Sequence, residues 1–362
     1  MNEMDKVWWN HITKAHKFVE DIVACAMEGR SMLLSLPENV PWRETLQELV
    51  KERLTQENFK NGFDCISCPE EEAGLFLMNQ YCKKERRNTY RCGVTYAEFL
   101  GRCEDTVLND RYIWVRDIPQ KKCEEWLDFI VEYNKNVKEK TPAIFILEIQ
   151  EGYLANKAKK GIRKLEFNQA ITAYDRFAFC ALAASDNSTC KEYMRLYLAE
   201  LASSICRDDI ELCAECVQKG NLFLQDPEGV LKQIVTNQLN SNGKKYLYSR
   251  TSEEMKHLIW EAQLKNVFPV IEKYRSYFIR KYEDNVRAAL PITNSNGQEV
   301  IIPEEVEIGM LVYLAKGGKI CLKNKNEYEE LECFRSARNN LAHLTPLDLN
   351  TVTWILKRAE SI

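Results

Sequence analysis

The residue types best suited to chemistry in this sequence lie near its C-terminus, where Arg338 is followed by Asn339 and, five positions after the arginine, by His343. Cleavage of an RNA phosphodiester without a metal needs a group that exchanges a proton near neutral pH and a cation that holds the charge on phosphorus. His343 supplies the first and Arg338 the second, and Asn339 can orient the phosphate or the histidine. The structural alternative is a buried arginine paired with a glutamate, followed by a histidine at a helix C-terminus.

A helix is predicted to carry these three residues, because no Gly or Pro occurs from Glu327 until Pro346. Four side chains follow the three-and-four spacing of one helical face: Leu331, Phe334, Arg338 and Leu341. Arg338 therefore falls on a stripe that should be apolar, where it must be paired or must face a partner surface. His343 falls at the predicted helix end, since Pro346 cannot continue a helix.

Residues 338–343 resemble the active-site motif of HEPN-domain ribonucleases, which consists of an arginine, a polar residue, three further residues and a histidine. Residues 333–337 and 344–347 are also similar to the sequences that flank the motif in that family. Upstream, the stretch 268–275 resembles the first long helix of bacterial HEPN effectors. Helices are predicted at residues 254–266, 304–314, 327–342 and 348–358. The resemblance covers about residues 250–362.

The resemblance implies an all-α domain that works as a homodimer, because in the family two motifs meet across a helix interface. It implies a metal-independent endoribonuclease that cleaves single-stranded RNA by attack of the 2′-hydroxyl, which leaves a cyclic phosphate and a 5′-hydroxyl. Arg338, Asn339 and His343 would be its catalytic residues and RNA its substrate, and no cofactor or metal is expected. Family members commonly serve antiviral defence or act as toxins, so a role of that kind is expected here.

Length and composition indicate a cytoplasmic protein of two or three domains. The chain has 362 residues, 45% of them hydrophobic, and a net charge of −4, so no global basic field points to a non-specific duplex binder. Its fourteen cysteines form no disulfide framework, the first residues do not resemble a signal peptide, and no apolar run is long enough to span a membrane. We therefore expect reduced thiols in the cytoplasm.

The N-terminal part, residues 1–155, is predicted to be an α/β domain with a parallel sheet. Runs rich in β-forming residues at 31–36, 111–117 and 143–148 alternate with helical patterns, and continuous apolar strands of this kind occur in sheets covered on both faces. The segment around Cys65 has no such run and is predicted to be a loop. Residues 156–249 are predicted to be a helical connector domain, and residues 250–362 the HEPN-like helical bundle.

The N-terminal domain resembles the core of a P-loop or AAA-type nucleotidase, in which Asp117 and Glu148 would occupy the metal-coordinating and sensing strands. However, residues 1–160 contain no Gly-x-x-x-x-Gly-Lys-Ser/Thr, and the segment that follows Leu36 cannot wrap a triphosphate with its backbone amides. We therefore expect a degenerate module that does not hydrolyse ATP. It would serve instead as a sensor or as a docking surface for a protein partner.

Three further groups of residues have both a functional and a structural interpretation. Thiols that could bind zinc or simply be free are Cys65, Cys68, Cys82 and Cys92, and also Cys213 and Cys216, which have no second pair nearby in sequence. Two basic patches could contact nucleic acid or could simply be solvated. The first patch consists of Lys83, Lys84, Arg86, Arg87 and Arg91. The second patch consists of Lys157, Lys159, Lys160, Arg163 and Lys164. Glu272 and Arg275 can pair on a helix, where they could brace the Arg338 site or lie on the surface. No role is assigned to His11, His16 and His257.

Two functions of different classes therefore remain open. The first is the metal-independent endoribonuclease, with the α/β domain as a degenerate module. The alternative is a non-catalytic interaction or scaffold protein of a multi-subunit defence complex, in which Arg338 is structural. A dimer that brings two His343 side chains into one cleft would favour the enzyme, whereas Arg338 buried against a carboxylate would favour the scaffold.

Overall fold

The computed structural model describes residues 4–103, 106–137, 141–153, 159–167, 171–207, 209–246, 248–294 and 297–362. The chain divides into two compact units, Met1–Asp175 and Arg176–Ile362. We call them the α/β unit and the helical unit. This division is coarser than the three domains expected from the sequence, and the boundaries at residues 155 and 249 stay predictions.

The α/β unit contains the predicted parallel sheet. Its elements are α1 (Met4–His11), α2 (Thr13–Met27), β1 (Met32–Leu36), α3 (Arg43–Glu57), β2 (Gly62–Ser67), α4 (Ala73–Tyr81), α5 (Lys84–Arg87), α6 (Tyr96–Arg102), β3 (Arg111–Arg116), α7 (Gln120–Asn136), β4 (Ile144–Gln150) and β5 (Arg163–Glu166). The strands pair in the order β2-β3-β4-β1-β5, and every pair is parallel. The prediction of a parallel sheet with helices in the N-terminal part is therefore confirmed.

The centre of the sheet is held by apolar side chains that α7 covers. In the register of the three central strands, Val115 lies opposite Leu147, which lies opposite Leu33, and all three are buried. Phe145 of β4 contacts a row of α7 aromatic side chains: Trp126, Phe129 and Tyr133. The three-and-four spacing of that row explains why α7 forms a helix here, since only a helix brings all three rings to one face.

Two strands contradict the sequence-based assignment. The segment around Cys65 was predicted to be a loop but forms β2, and residues 156–245 were predicted to be all helical but include β5. Both strands lie at the edges of the sheet, where only one side is paired. Edge strands need no continuous apolar run: the residues of β2 are half-buried or exposed, and β5 buries only Leu165.

The helical unit is built almost entirely of α-helices, as the sequence predicts. Its helices are α8 (Ala173–Ser185, which begins just before the division), α9 (Arg195–Cys206), α10 (Ile210–Lys219), α11 (Asn221–Gln225), α12 (Pro227–Asn237), α13 (Ser252–Asn266), α14 (Phe268–Lys281), α15 (Glu283–Ala289), α16 (Ile308–Lys316), α17 (Lys325–Ala342) and α18 (Leu349–Arg358). Short 3₁₀ segments occupy Glu192–Met194, Pro303–Glu305 and Ala359–Ser361, and β6 (Ile292–Thr293) pairs with β7 (Glu299–Val300).

Asp209 begins α10 and is the most unusual helix cap in this unit. Its Oδ1 accepts a hydrogen bond of 3.0 Å from the backbone N–H of Leu212, whereas its Oδ2 is buried without a hydrogen-bond partner among the described residues. Burial raises the pKa of Asp209 to about 6, because the charged form has lost its water and gained too few donors. The folded protein therefore keeps a proton on Asp209 at pH values where the unfolded chain has lost it.

We expect the free energy of unfolding to fall by about 2–3 kcal/mol as pH rises from about 4 to about 6. Stability falls with rising pH because the Asp209 pKa is raised in the folded state. Between about pH 4 and about pH 6 the folded state binds a proton that the unfolded state has lost, and above about pH 6 this stabilisation is gone. Asp209→Asn should flatten this dependence, since an amide caps the helix without titrating. Urea unfolding of both proteins at several pH values measures the effect. Asp226→Asn, at the exposed cap of α12, is the matched control, and equal pH slopes for Asp209→Asn and the parent protein would contradict the assignment.

Candidate functional site

Helix α17 carries the predicted motif to its C-terminal end. Asn324 caps its first turn by accepting a hydrogen bond from Glu327, and His343 is the residue at its C-terminal cap. Leu331 and Leu341 are fully buried on one face, and Arg338 lies half-buried on the same stripe. The predicted helix, its end and the position of the arginine on the apolar stripe are therefore confirmed.

The side chains of Arg338, Asn339 and His343 form no polar contacts with the described residues. Within the described parts of the chain, none of the three makes a side-chain hydrogen bond or an ion pair, whereas Arg335, one turn earlier, pairs with Glu332 at 2.9 Å. The structural alternative required Arg338 to be buried against a carboxylate, and no carboxylate of a described residue pairs with it. The three polar side chains are left available for a bound molecule.

The helix geometry places these side chains on more than one face. Five residues along an α-helix correspond to a rotation of about 140° and a rise of about 7.5 Å, so Arg338 and His343 point away from each other around the axis. Asn339 and His343 are four residues apart and share a face. One chain therefore presents the amide and the imidazole together, and the guanidinium to the side of them.

Helix α13 fixes the end of α17 and the loop that follows it. The Trp260 indole N–H donates a hydrogen bond of 2.8 Å to the carbonyl of Leu341. Gln263, buried at 2% exposure, accepts from the backbone N–H of Leu347 at 2.7 Å and donates to its carbonyl at 2.9 Å. These bonds satisfy backbone groups that a helix end would otherwise leave unpaired. His343 thus lies between two backbone positions that α13 holds in place.

We expect Gln263→Ala to lower the free energy of unfolding by about 1–3 kcal/mol, because it leaves the N–H and the carbonyl of Leu347 buried without partners. The measurement is urea unfolding followed by circular dichroism. Asn266→Ala is the matched control, since that amide bonds only the carbonyl of Ala262 in its own helix, and it should change stability by less than about 0.5 kcal/mol. Equal losses in the two variants would show that Gln263 does not hold the loop.

His257 stacks on Trp260, the residue bonded to Leu341, although the sequence gave no reason to assign it a role. Its ring stacks on that of Trp260 with centroids 5.2 Å apart and planes inclined by 30°, and its Nε2 lies 3.4 Å from Oε1 of Glu261. The i, i+3 spacing of His257 and Trp260 was visible in the sequence. Their position beside Leu341 was not, because it depends on how α13 packs against α17.

The pairing predicted for Glu272 and Arg275 is confirmed, and Arg275 has further partners in the chain before α16. Arg275 Nε bonds Glu272 Oε2 at 2.8 Å. Its Nη1 donates to the carbonyls of Glu304 and Val306, at 2.8 and 3.2 Å. The arginine therefore fixes the chain just before α16. A cleft of about 610 Å³ lies between α17 and α18. Its lining includes Cys333, Trp354 and Arg358 but none of the three motif residues.

A second polar cluster lies in the α/β unit, at the carboxyl ends of the strands. From β1 the chain continues to β2 at one edge of the sheet, and from the neighbouring strand β4 it continues to β5 at the opposite edge. Where two adjacent strands connect in opposite directions, a crevice forms at their carboxyl ends, and α/β sheets bind ligands there. Asp117 and Trp42 border this cluster and have positive φ angles of 57° and 45°. Non-glycine residues rarely adopt this conformation, and a bulky side chain does so least readily.

At the centre of this cluster the buried carboxylate of Glu148 is fully partnered. Its Oε1 forms an ion pair with Arg43, and its Oε2 accepts hydrogen bonds from Trp114 Nε1 at 2.8 Å and Gln47 Nε2 at 3.1 Å. Arg43 also bonds Asp117, with 3.1 Å between Nη2 and Oδ1. Burial opposes the charge on Arg43, but the carboxylates of Glu148 and Asp117 outweigh it and raise the arginine pKa. The sequence placed Glu148 at the end of its strand, but it lies inside β4.

This arrangement uses the carboxylates that a nucleotidase would offer to a metal ion. Arg43 supplies a fixed positive charge between Asp117 and Glu148, and it lies in the first turn of α3, directly after the loop in which phosphate-binding residues were absent from the sequence. The cluster can stabilise the sheet.

The cysteines do not form the zinc sites considered from the sequence. Cys82 is buried beside Thr106, whereas Cys92 is exposed. Cys216 has a buried thiol as its neighbour, because Cys206 Sγ lies 3.6 Å from Cys216 Sγ. Burial raises the pKa values of both Cys206 and Cys216. Among the described residues no three His, Cys, Asp or Glu side chains are grouped to hold a metal ion. The thiols of Cys206 and Cys216 are therefore protonated at neutral pH.

The two basic patches differ in how much of their charge is available. In the second patch Lys159 pairs with Asp128 and Lys164 pairs with Glu166, and Lys157 lies outside the described residues. In the first patch Lys83, Lys84 and Arg91 are exposed. Their contact with nucleic acid stays a prediction.

No family model matches the chain, and a search of curated proteins found no similar sequence. Within the described residues we found no candidate for a membrane-spanning helix.

Proposed function

We propose that the helical unit is a HEPN-type endoribonuclease whose active-site residues are Arg338, Asn339 and His343. The observation that supports this most directly is that these three side chains make no hydrogen bond or ion pair with the described residues, although α13 holds the end of their helix in place. Polar groups that are held in place but left unpartnered are typical of sites that bind and act on another molecule.

In the proposed reaction His343 moves a proton to or from the reacting oxygens, and Arg338 holds the charge that develops on the phosphate. The 2′-hydroxyl of the RNA attacks the adjacent phosphorus, the bond to the 5′-oxygen breaks, and a 2′,3′-cyclic phosphate and a 5′-hydroxyl are formed. Asn339 follows Arg338 directly and shares a helix face with His343, and it orients the phosphate. Single-stranded RNA is the proposed substrate, because the in-line geometry of this attack is not available in a duplex.

The proposed active form is a homodimer. Its support is the distribution of the motif around α17, because one helix cannot direct Arg338 and His343 at the same phosphate as well as two helices can. Leu344, directly after His343, is 63% exposed and provides apolar surface for an interface at this position. The α/β unit would act in the cytoplasm as a sensor or docking surface for a protein partner. A role in antiviral defence or as a toxin is part of the same proposal.

Cleavage of single-stranded RNA by the purified protein should survive EDTA, and its products should carry 2′,3′-cyclic phosphate ends. The reason is that Arg338 and His343 together supply the charge stabilisation and proton transfer that a metal ion would otherwise provide. Denaturing gels and mass spectrometry of the fragments measure both features. Complete loss of cleavage in the chelator, restored by Mg²⁺, would contradict this mechanism.

The second candidate is a non-catalytic interaction protein. It is favoured by exposed apolar side chains elsewhere in the helical unit, since Leu196 and Leu222 are each 62% exposed. Under this proposal the free side chains of the motif contact a protein. A folded wild-type protein that does not cleave RNA under any buffer condition would support this candidate against the enzyme.

A further inference from the structure

We propose that His257 and Trp260 form a stacking platform for an unpaired RNA base beside the scissile phosphate. This inference rests on the proposed function and names a part of the substrate that the motif residues do not contact. The platform lies on α13, a different helix from the motif.

The position of the platform follows from one hydrogen bond. The Trp260 indole N–H is bonded to the carbonyl of Leu341, which precedes His343 by two residues. This bond fixes the plane of the indole ring at the end of α17. His257, one turn earlier on α13, stacks on the indole, so its ring is held at the same end of the helix. The indole is therefore held at the carbonyl two residues before His343, and the His257 ring is stacked on the indole.

The exposure of His257 indicates what the platform can bind. Its side chain is 57% exposed, even though one face of the ring is stacked on Trp260. The exposed part of the ring is accessible to a bound molecule, and its Nε2 lies 3.4 Å from Oε1 of Glu261. A planar group can extend the stack from Trp260 through His257, and every nucleobase has a face suited to this.

The chemistry of the neighbouring site identifies the planar group. Arg338 and His343 suit a phosphodiester, and a base attached to the same sugar–phosphate unit lies within one nucleotide of it. A stacked base must be unpaired and turned out, which single strands and loops allow and duplexes do not. The platform would thus position the nucleotide next to the cleaved bond and select against paired RNA, with little preference among the four bases.

The experiment uses the full-length protein and a short RNA with one mapped cleavage position. Cleavage of the intact RNA is compared with cleavage of RNAs that carry a single abasic nucleotide on either side of that position. We expect His257→Ala to lower kcat/KM for the intact RNA by about fivefold to about a hundredfold, and one abasic RNA to be cut equally slowly by both proteins. His257→Phe should restore most of the rate. His11→Ala, an exposed histidine of the α/β unit, is the matched control and should cleave like the parent protein.

Two outcomes would overturn the platform while leaving the proposed function in place. One is normal kcat/KM for His257→Ala on the intact RNA, and the other is an equal penalty from the abasic nucleotide in the parent protein and in His257→Ala. If the parent protein does not cleave RNA at all, the proposed function fails, and fluorescence anisotropy with the same labelled RNAs decides the inference. Weaker binding by His257→Ala to the intact RNA alone supports the platform, and unchanged or absent binding rejects it.

Discussion

A His343→Ala variant is expected to lose RNA cleavage by about a hundredfold to ten-thousandfold while it keeps its fold. The loss follows from removal of the group that transfers the proton. The fold is kept because His343 is exposed at the end of α17 and its ring makes no hydrogen bond or ion pair with the described part of the chain. The backbone bonds from His343 N to the carbonyls of Asn339 and Asn340, both 3.1 Å, do not depend on the side chain. Cleavage is measured at matched concentrations of folded protein, with thermal melting as the check.

Arg338→Ala should lose cleavage as fully and should also keep its stability. Removal of an arginine from a buried stripe destabilises a protein when it leaves a partner charge unpaired. No carboxylate of the described residues pairs with Arg338, so its removal should cost less than about 1 kcal/mol. Arg335→Ala, one turn earlier, removes an arginine that already pairs with Glu332 and should leave cleavage unchanged. Full cleavage by folded His343→Ala or Arg338→Ala would remove the enzyme proposal.

Mixed dimers show whether each active site takes residues from both chains or from one chain alone. If each site takes Arg338 from one chain and His343 from the other, a heterodimer of Arg338→Ala with His343→Ala chains contains one site with both residues and one with neither. Heterodimers of these two inactive proteins should have about half of the parent activity by this count of intact sites, and an equal mixture with random exchange of chains about a quarter, in line with the isologous contacts of a two-fold dimer. No recovery in verified heterodimers would indicate that each chain supplies a whole site.

The largest effect on stability is expected for Arg43→Met, which should lower the free energy of unfolding by about 3–5 kcal/mol. Glu148 is only 6% exposed, and Arg43 is the partner of its Oε1, so the variant leaves a buried carboxylate with one oxygen unpaired. The hydrogen bonds from Trp114 and Gln47 to Oε2 remain and cannot reach the other oxygen. Guanidinium chloride unfolding, followed by tryptophan fluorescence, measures the loss.

Two companion variants test whether the buried charge is the cause. Asp117→Asn removes the outer partner of Arg43, but Asp117 is 57% exposed, so the cost should stay below about 1 kcal/mol. Arg43→Met combined with Glu148→Gln removes both charges and should recover a large part of the loss, since a neutral amide still bonds Trp114 or Gln47. A double variant as unstable as Arg43→Met alone would locate the cost in packing and not in charge.

The sequence by itself determined the elements whose residues interact locally. The bounds of α17 followed from its spacing of Leu331, Phe334 and Leu341 and from the position of Pro346, and the structure matches them within two residues. The Thr251–Glu254 capping box at the start of α13 and the Asp226 cap of α12 were readable for the same reason. Helix periodicity and capping involve residues at most four positions apart, and a single sequence records such relations directly.

Only the tertiary structure decided which of these elements meet, and therefore what the candidate site contains. The bond from Trp260 to Leu341 joins residues 81 positions apart, and that from Gln47 to Glu148 joins residues 101 apart. No local pattern encodes either of them, so neither the role of α13 beside His343 nor the pairing of Glu148 with Arg43 could be foreseen. The edge strands β2 and β5 were missed for a related reason. Their conformation is imposed by one hydrogen-bonded neighbour in the sheet, and their own half-exposed side chains carry little of the apolar pattern by which buried strands are recognised.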